Sequence, residues 1–125
     1  MSKNTIHRMM KDLGDLLYSG IDGPLTVVGI LTGGEYMSKD LAEYLCQKGR
    51  ICHTFNIMVD KENKQVVNGE RIKSDGTTYV FVDDAVWSSR TRDIVIECAE
   101  RIGVNYRYAV LLDPFKKADF SLFSD

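Results

Sequence analysis

Two adjacent carboxylates, Asp83 and Asp84, stand directly behind a strand-forming run, Tyr79-Val80-Phe81-Val82, and just ahead of a hydroxyl-rich stretch, Ser88-Ser89-Arg90-Thr91. At the carboxyl end of a buried strand such a pair is costly unless a cation or a hydroxyl donor pairs with it. The stretch that follows leads into a helical pattern and can aim backbone N–H groups and three hydroxyls at an anion. Together these residues point to a ligand carrying both sugar hydroxyls and a phosphate, accompanied by Mg²⁺. Two plainer readings compete. A nucleotide hydrolase also places acids after an apolar run, but it needs a GxxxxGK[ST] phosphate loop. Gly29 and Gly34 have that glycine spacing, yet Glu35 and Tyr36 stand where Lys and Ser/Thr must be, and an acid there repels phosphates. The other reading is a solvated acidic turn without function.

Parallel strands alternating with helices would position these residues. Ile6, Met9, Met10, Leu13, Leu16 and Leu17 recur at helical spacing and predict an amphipathic helix over residues 4–18. Leu25 to Leu31 is a continuous apolar run, as in a strand buried on both faces. The glycine loop Thr32-Gly33-Gly34 follows, then a helix from Glu35 to about Lys48 that stops at Gly49. Ile51 to Val59 predicts a second strand. Residues 60–78 are polar and turn-rich, and Asn68-Gly69 suggests a hairpin with Gln65–Asn68 facing Glu70–Lys73. Tyr79–Val82, a helix over Thr91–Ile102, and strands over Tyr106–Leu112 and Phe120–Phe123 complete the pattern. This order predicts one α/β domain over residues 1–125, a doubly wound parallel sheet flanked by helices. Ligands on such sheets bind at the carboxyl ends of the strands, which is where both the 32–34 and the 83–91 segments fall.

Composition narrows the function classes. At 125 residues the chain can bury one core, and its 44% hydrophobic and 27% charged residues are ordinary for a globular domain. A net charge of −2 gives no electrostatic case for nucleic acid or a membrane surface. No apolar run approaches the roughly 18 residues that span a bilayer, and Met1-Ser2-Lys3-Asn4 leads into a helix rather than an apolar signal region, so the cytoplasm is the expected compartment. Cys46, Cys52 and Cys98 lack CxxC spacing and read as reduced structural thiols. With only His7 and His53 available, a transition-metal site is not expected.

The run Val80-Phe-Val-Asp-Asp-Ala-Val-Trp-Ser-Ser-Arg-Thr91 resembles the ribose-5-phosphate signature of type I phosphoribosyltransferases. Gly29-Ile-Leu-Thr-Gly-Gly-Glu-Tyr-Met-Ser-Lys-Asp-Leu-Ala-Glu-Tyr-Leu45 looks like that family's pyrophosphate loop and the helix behind it, closest to hypoxanthine-type members. Ala109-Val-Leu-Leu-Asp113 is similar to a strand that helps form the base pocket in pyrimidine-operon regulators and purine enzymes. The three stretches occur in family order and spacing, and the resemblance as a whole covers most of residues 25–123.

The resemblance implies phosphoribosyl pyrophosphate (PRPP) as ligand and a small-molecule acceptor. It implies that Asp83 and Asp84 hold the ribose 2′ and 3′ hydroxyls and, through them or water, Mg²⁺. Ala85, Ser88, Ser89, Arg90 and Thr91 would surround the 5′-phosphate, and Thr32, Gly33 and Gly34 the pyrophosphate. Residues 60–78 take the place of the family's flap, with Lys61 and Lys64, and also Arg71 and Lys73, as phosphate clamps. Relatives are commonly dimers, and the apolar face of the N-terminal helix suits either an interface or packing within the chain.

Several positions depart from the family pattern. Ser89 replaces a glycine, Thr32-Gly33 stand where a Lys or Arg is common, and Glu35 adds negative charge. Trp87 replaces the acid assigned as general base in hypoxanthine-type enzymes and is a candidate to stack on base or ribose. The sequence after the last strand is too short for a full base-recognition hood, so a minimal hood is expected. Two functions follow from the resemblance: PRPP-dependent transfer to a nucleobase or related acceptor, or a sensor of this fold that binds PRPP or a nucleotide without turnover.

Overall fold

The apolar run Leu25–Leu31 forms β1, and its first six residues are buried, as a strand covered on both faces requires. A computed structural model describes residues 3–31, 33–86 and 90–123 of the chain. In chain order the elements are α1 (Lys3–Gly20), β1 (Leu25–Leu31), α2 (Glu35–Gln47), β2 (Cys52–Asp60), β3 (Gln65–Val67), a 3-10 turn (Gly69–Arg71), β4 (Thr78–Ala85), α3 (Arg90–Ile102), β5 (Tyr106–Leu112) and β6 (Phe120–Phe123). The six strands form one sheet in the order β3-β2-β1-β4-β5-β6. All neighbours pair in parallel except β3, which runs antiparallel to β2. The expected doubly wound α/β architecture is what the chain adopts.

Period-two alternation along the strands divides the core into two layers. Val27 of β1, Val80 and Val82 of β4 and Ala109 of β5 face α1 and α2, where they meet Leu13, Leu17 and Leu41. Val28, Tyr79, Phe81 and Tyr108 face the other way, onto Val95, Cys98 and Ala99 of α3. Met10, Leu13 and Leu17 of the apolar face of α1 are buried in the chain's own core, while Leu16 is exposed. Burial pushes the half-buried Cys52 thiol up to about 12, in keeping with a structural rather than reactive role.

Sheet order creates the site. The chain steps from β1 outward to β2, then returns to lay β4 on the opposite side of β1. Crossovers leaving in opposite directions open a crevice at the carboxyl ends of β1 and β4.

One expected element is corrected. Gln65–Val67 does not pair with Glu70–Lys73; it folds back on β2, with Met58 opposite Val67 and Asp60 opposite Gln65. The turn is made by Asp60, whose carboxylate accepts the Asn63 backbone N–H at 3.2 Å and side-chain N–H at 2.8 Å. Asn68 does take a positive φ of 68°, but it opens the 3-10 turn, and Ile72 just beyond is buried at 3% exposure among the α3-side core residues. Burying Ile72 and closing the Asp60 turn outweigh the local hairpin preference of Asn68-Gly69.

Candidate functional site

β4 continues through the acid pair, ending at Ala85, so Asp83 and Asp84 are strand residues with side chains on opposite faces. Asp83 shares the α3-side face with Tyr79 and Phe81 and is 8% exposed; Asp84 points toward the α2 side and is exposed. The Asp84 backbone N–H donates to the Asp83 carboxylate at 2.8 Å. Burial is the main force on Asp83 and raises its pKa from 3.8 to about 7, with the Asp84 N–H and Lys61 pulling the other way. Burial thus disfavours the charged form of Asp83, and hydroxyl donors or a cation beside it would offset that cost.

Asp83, Asp84 and Ala85 line a cleft of about 430 Å³ at the carboxyl edge of the sheet, together with Lys61 and Thr91. Lys61 belongs to the β2–β3 turn, and its backbone carbonyl accepts a hydrogen bond of 3.3 Å from the Arg90 guanidinium at the start of α3. That contact ties the expected flap to the expected phosphate-binding helix end. Ala85 pairs with Leu112 of β5.

The loop after β1 approaches from the other side. Gly33 has φ +121°, and the Asp84 carboxylate lies 3.0 Å from the position a Cβ would take there. A Cβ on Gly34 would strike the Val82 backbone of β4. Only glycines let this loop come so close to the acid pair. The Gly33 N–H donates to the Glu35 carboxylate at 2.7 Å, and the Gly34 N–H to the Ile30 carbonyl at 2.9 Å.

The structure thus gathers Asp83, Asp84, Ala85, Thr91 and Lys61 around one cleft, with Arg90, Gly33 and Gly34 at its margin. Other expected residues lie elsewhere. Lys64 lines a separate depression beside Cys98 and Arg101. Arg71 lies over the Phe55 ring at 4.6 Å and, with Lys73, lines a hollow near Thr26 and His53 at the amino ends of the strands. Neither faces the acid pair, because the 3-10 turn carries them away from the carboxyl edge. Thr32, Trp87, Ser88 and Ser89 lie outside the described residues.

Two of the polar residues that line the cleft were not singled out from the sequence, Arg92 and Tyr108. Arg92, in the first turn of α3, donates to the Lys117 carbonyl and pairs with Asp93 at 3.1 Å. A basic residue so near a helix start beside a phosphate-type loop was the available signal. Tyr108 is 1% exposed, and burial first, then the nearby Asp83 charge, raises its pKa. The resemblance carried by its strand covers only Ala109–Asp113, and nothing in the sequence tells which face of β5 meets β4.

The acid pair suits a hard cation, since Mg²⁺ prefers carboxylate and hydroxyl oxygens. Among the described residues no group of three or more His, Cys, Asp or Glu side chains could hold a metal ion. No helix among the described residues is long and apolar enough to cross a membrane.

At the level of sequence, no family model matches this chain and no curated protein does. Solved structures do match in fold. A hypoxanthine phosphoribosyltransferase from Staphylococcus aureus superposes with a TM-score of 0.75 at 17% identity, covering 98% of this chain and 74% of its own. A purine phosphoribosyltransferase from Pyrococcus horikoshii gives a TM-score of 0.72 at 19% identity over 98% of this chain and 85% of its own. A hypoxanthine-guanine phosphoribosyltransferase from Bacillus anthracis gives 0.76 at 15% identity over 98% and 77%. With the acid pair at the end of β4, the glycine loop after β1 and the sheet order that joins them, the chain has the type I phosphoribosyltransferase fold.

Proposed function

We propose that this protein binds PRPP at the Asp83–Asp84 cleft and transfers its phosphoribosyl group to a nucleobase or related acceptor, releasing pyrophosphate. The observation that carries the reading is the placement of the acid pair at the carboxyl end of β4, flanked by Gly33 after β1 and by the start of α3. Purine phosphoribosyltransferases of the same fold support it.

In this reading Asp83 and Asp84, ionised, accept hydrogen bonds from the ribose 2′ and 3′ hydroxyls. The ligand's hydroxyls replace the water that Asp83 has lost, so binding favours its charged form. Thr91 offers a hydroxyl, and the N-terminal end of α3 offers N–H groups, to the 5′-phosphate. Lys61 supplies a positive charge from the β2–β3 turn. Mg²⁺, held near Asp83 and Asp84 through ribose hydroxyls and water, would neutralise the leaving pyrophosphate. The protein's own contribution is to fix the reacting carbon against the acceptor and to exclude water.

A second reading, a protein that binds the phosphoribosyl group without transferring it, is favoured by one observation. Both described amides of the glycine loop are already bonded within the chain. The test is pyrophosphate release from PRPP across a panel of nucleobases with magnesium chloride, run beside calorimetry with PRPP alone. Release with at least one base establishes the transferase. Binding with silence across the whole panel establishes the second reading, and no binding at millimolar PRPP overturns both.

A further inference from the structure

Glu35 sits at the first position of α2, immediately behind the glycine loop. Its carboxylate accepts the Gly33 N–H at 2.7 Å. The Asp84 carboxylate also approaches this glycine, lying 3.0 Å from the position a Cβ would take. Gly33 is therefore approached by two carboxylates, one of them on its amide. Tyr36 senses the same crowding: after burial, the charges of Asp84, Glu35 and Asp83 raise its phenol pKa. The next amide along, Gly34, is bonded to the Ile30 carbonyl at 2.9 Å and cannot donate outward without breaking that bond.

A diphosphate entering this loop meets an anion already on the donor it needs. It must displace Glu35 from a charge-assisted hydrogen bond, and then lie beside the displaced carboxylate. The proposed reading places the 5′-phosphate end of a ligand at the start of α3, where the cationic Lys61 and the hydroxyl-bearing Thr91 line the cleft. The two ends of a phosphoribosyl ligand are thus treated unequally by this chain.

We infer that Glu35 is a specificity-determining residue: it occupies the diphosphate position from within and biases the cleft toward phosphoribosyl ligands with a single phosphate, on the ribose 5′ oxygen, over those that also carry a diphosphate at C1. This rests on the phosphoribosyl reading of the cleft and adds a ligand preference to it. Its consequence is that the monophosphate, once bound, is not readily displaced by the diphosphate-bearing donor.

The experiment titrates the full chain with ribose 5-phosphate, PRPP and inorganic pyrophosphate, each at the same excess of magnesium chloride, for the wild type, Glu35→Gln and Glu35→Ala. Thermal unfolding of each variant checks that it is folded. Wild type should bind ribose 5-phosphate at least as tightly as PRPP. Glu35→Ala should raise affinity for PRPP and for pyrophosphate by about tenfold, and leave ribose 5-phosphate within about twofold. Glu35→Gln, which loses the charge but keeps an acceptor oxygen, should fall between. Wild type preferring PRPP, with both variants unchanged, overturns the role of Glu35 and leaves the phosphoribosyl reading standing. An equal gain for all three ligands also overturns it, since that is a general charge effect. Binding of neither PRPP nor ribose 5-phosphate by any variant overturns the inference together with the reading beneath it.

Discussion

The backbone N–H of Asp84 donates to the side-chain carboxylate of Asp83 at 2.8 Å, locking the buried acid against the strand that carries its exposed neighbour. Because successive strand residues face opposite ways, the two carboxylates occupy different environments although they are adjacent in sequence. Asp83 is buried beside Tyr108, and Asp84 stands exposed next to Gly33. Their substitutions should therefore have separable effects.

Asp83→Asn should change how stability depends on pH. Burial raises the Asp83 pKa from 3.8 to about 7, so the fold prefers the protonated form. The wild type gains stability from this group below pH 4 and loses it as pH rises through 7. The amide variant cannot ionise, and its oxygen can still accept the Asp84 N–H. Its melting temperature should move upward relative to wild type as pH is raised from about 5 to about 8. A difference independent of pH across that window would show that Asp83 is not the titrating group.

Asp84→Asn should leave the fold nearly untouched, within about 0.5 kcal/mol by denaturant unfolding, because the side chain is exposed. It should weaken PRPP binding by about ten- to a hundredfold, the scale of a lost hydrogen bond to a charged acceptor. Calorimetry and a melting curve on one preparation check both halves. Unchanged PRPP affinity would remove Asp84 from the ribose site.

Gly34→Ala adds a methyl group against the Val82 carbonyl, which belongs to the central strand β4 and cannot turn aside as a side chain would. The loop or the strand must shift, at a cost of about 1–3 kcal/mol. The denaturation midpoint should fall with an unchanged slope, and ligand affinity should fall with it, since the shift moves Gly33 away from Asp84.

Asp113 supports the cleft from the β5 side. It is 2% exposed, and its carboxylate accepts the Lys117 and Ala118 backbone N–H groups at 2.7 and 2.8 Å. The Lys117 carbonyl in turn receives the Arg92 guanidinium, which lines the cleft. Asp113→Ala should destabilise the chain by about 1–3 kcal/mol and speed amide hydrogen exchange at Lys117 and Ala118. Protection unchanged at both amides would mean the loop is held by other contacts.

Much of this was legible in the sequence. Continuous apolar runs identified β1 and β4, helical spacing identified α1 to α3, and the position of Asp83–Asp84 behind Val82 identified the ligand-binding edge. These are properties of residues near one another in the chain, and strand alternation and helix periodicity express them directly. The segment 60–78 pairs differently from what its local turn signal at Asn68-Gly69 suggests, because Ile72 is buried in a core cluster with Val95, Cys98 and Ala99 of α3, far along the chain.

The sequence by itself determined the strands, the helices and the acid pair, since each follows from local pattern. Only the tertiary structure decided that β5 lies beside β4, bringing Tyr108 near Asp83 and Arg92 into the cleft. It also decided that Lys64, Arg71 and Lys73 point away, and that the Glu35 carboxylate sits on the Gly33 amide. Those relationships depend on strand order and on the aim of single side chains. Such features are set by the packing of distant elements, a sum over many contacts that no short stretch of residues contains.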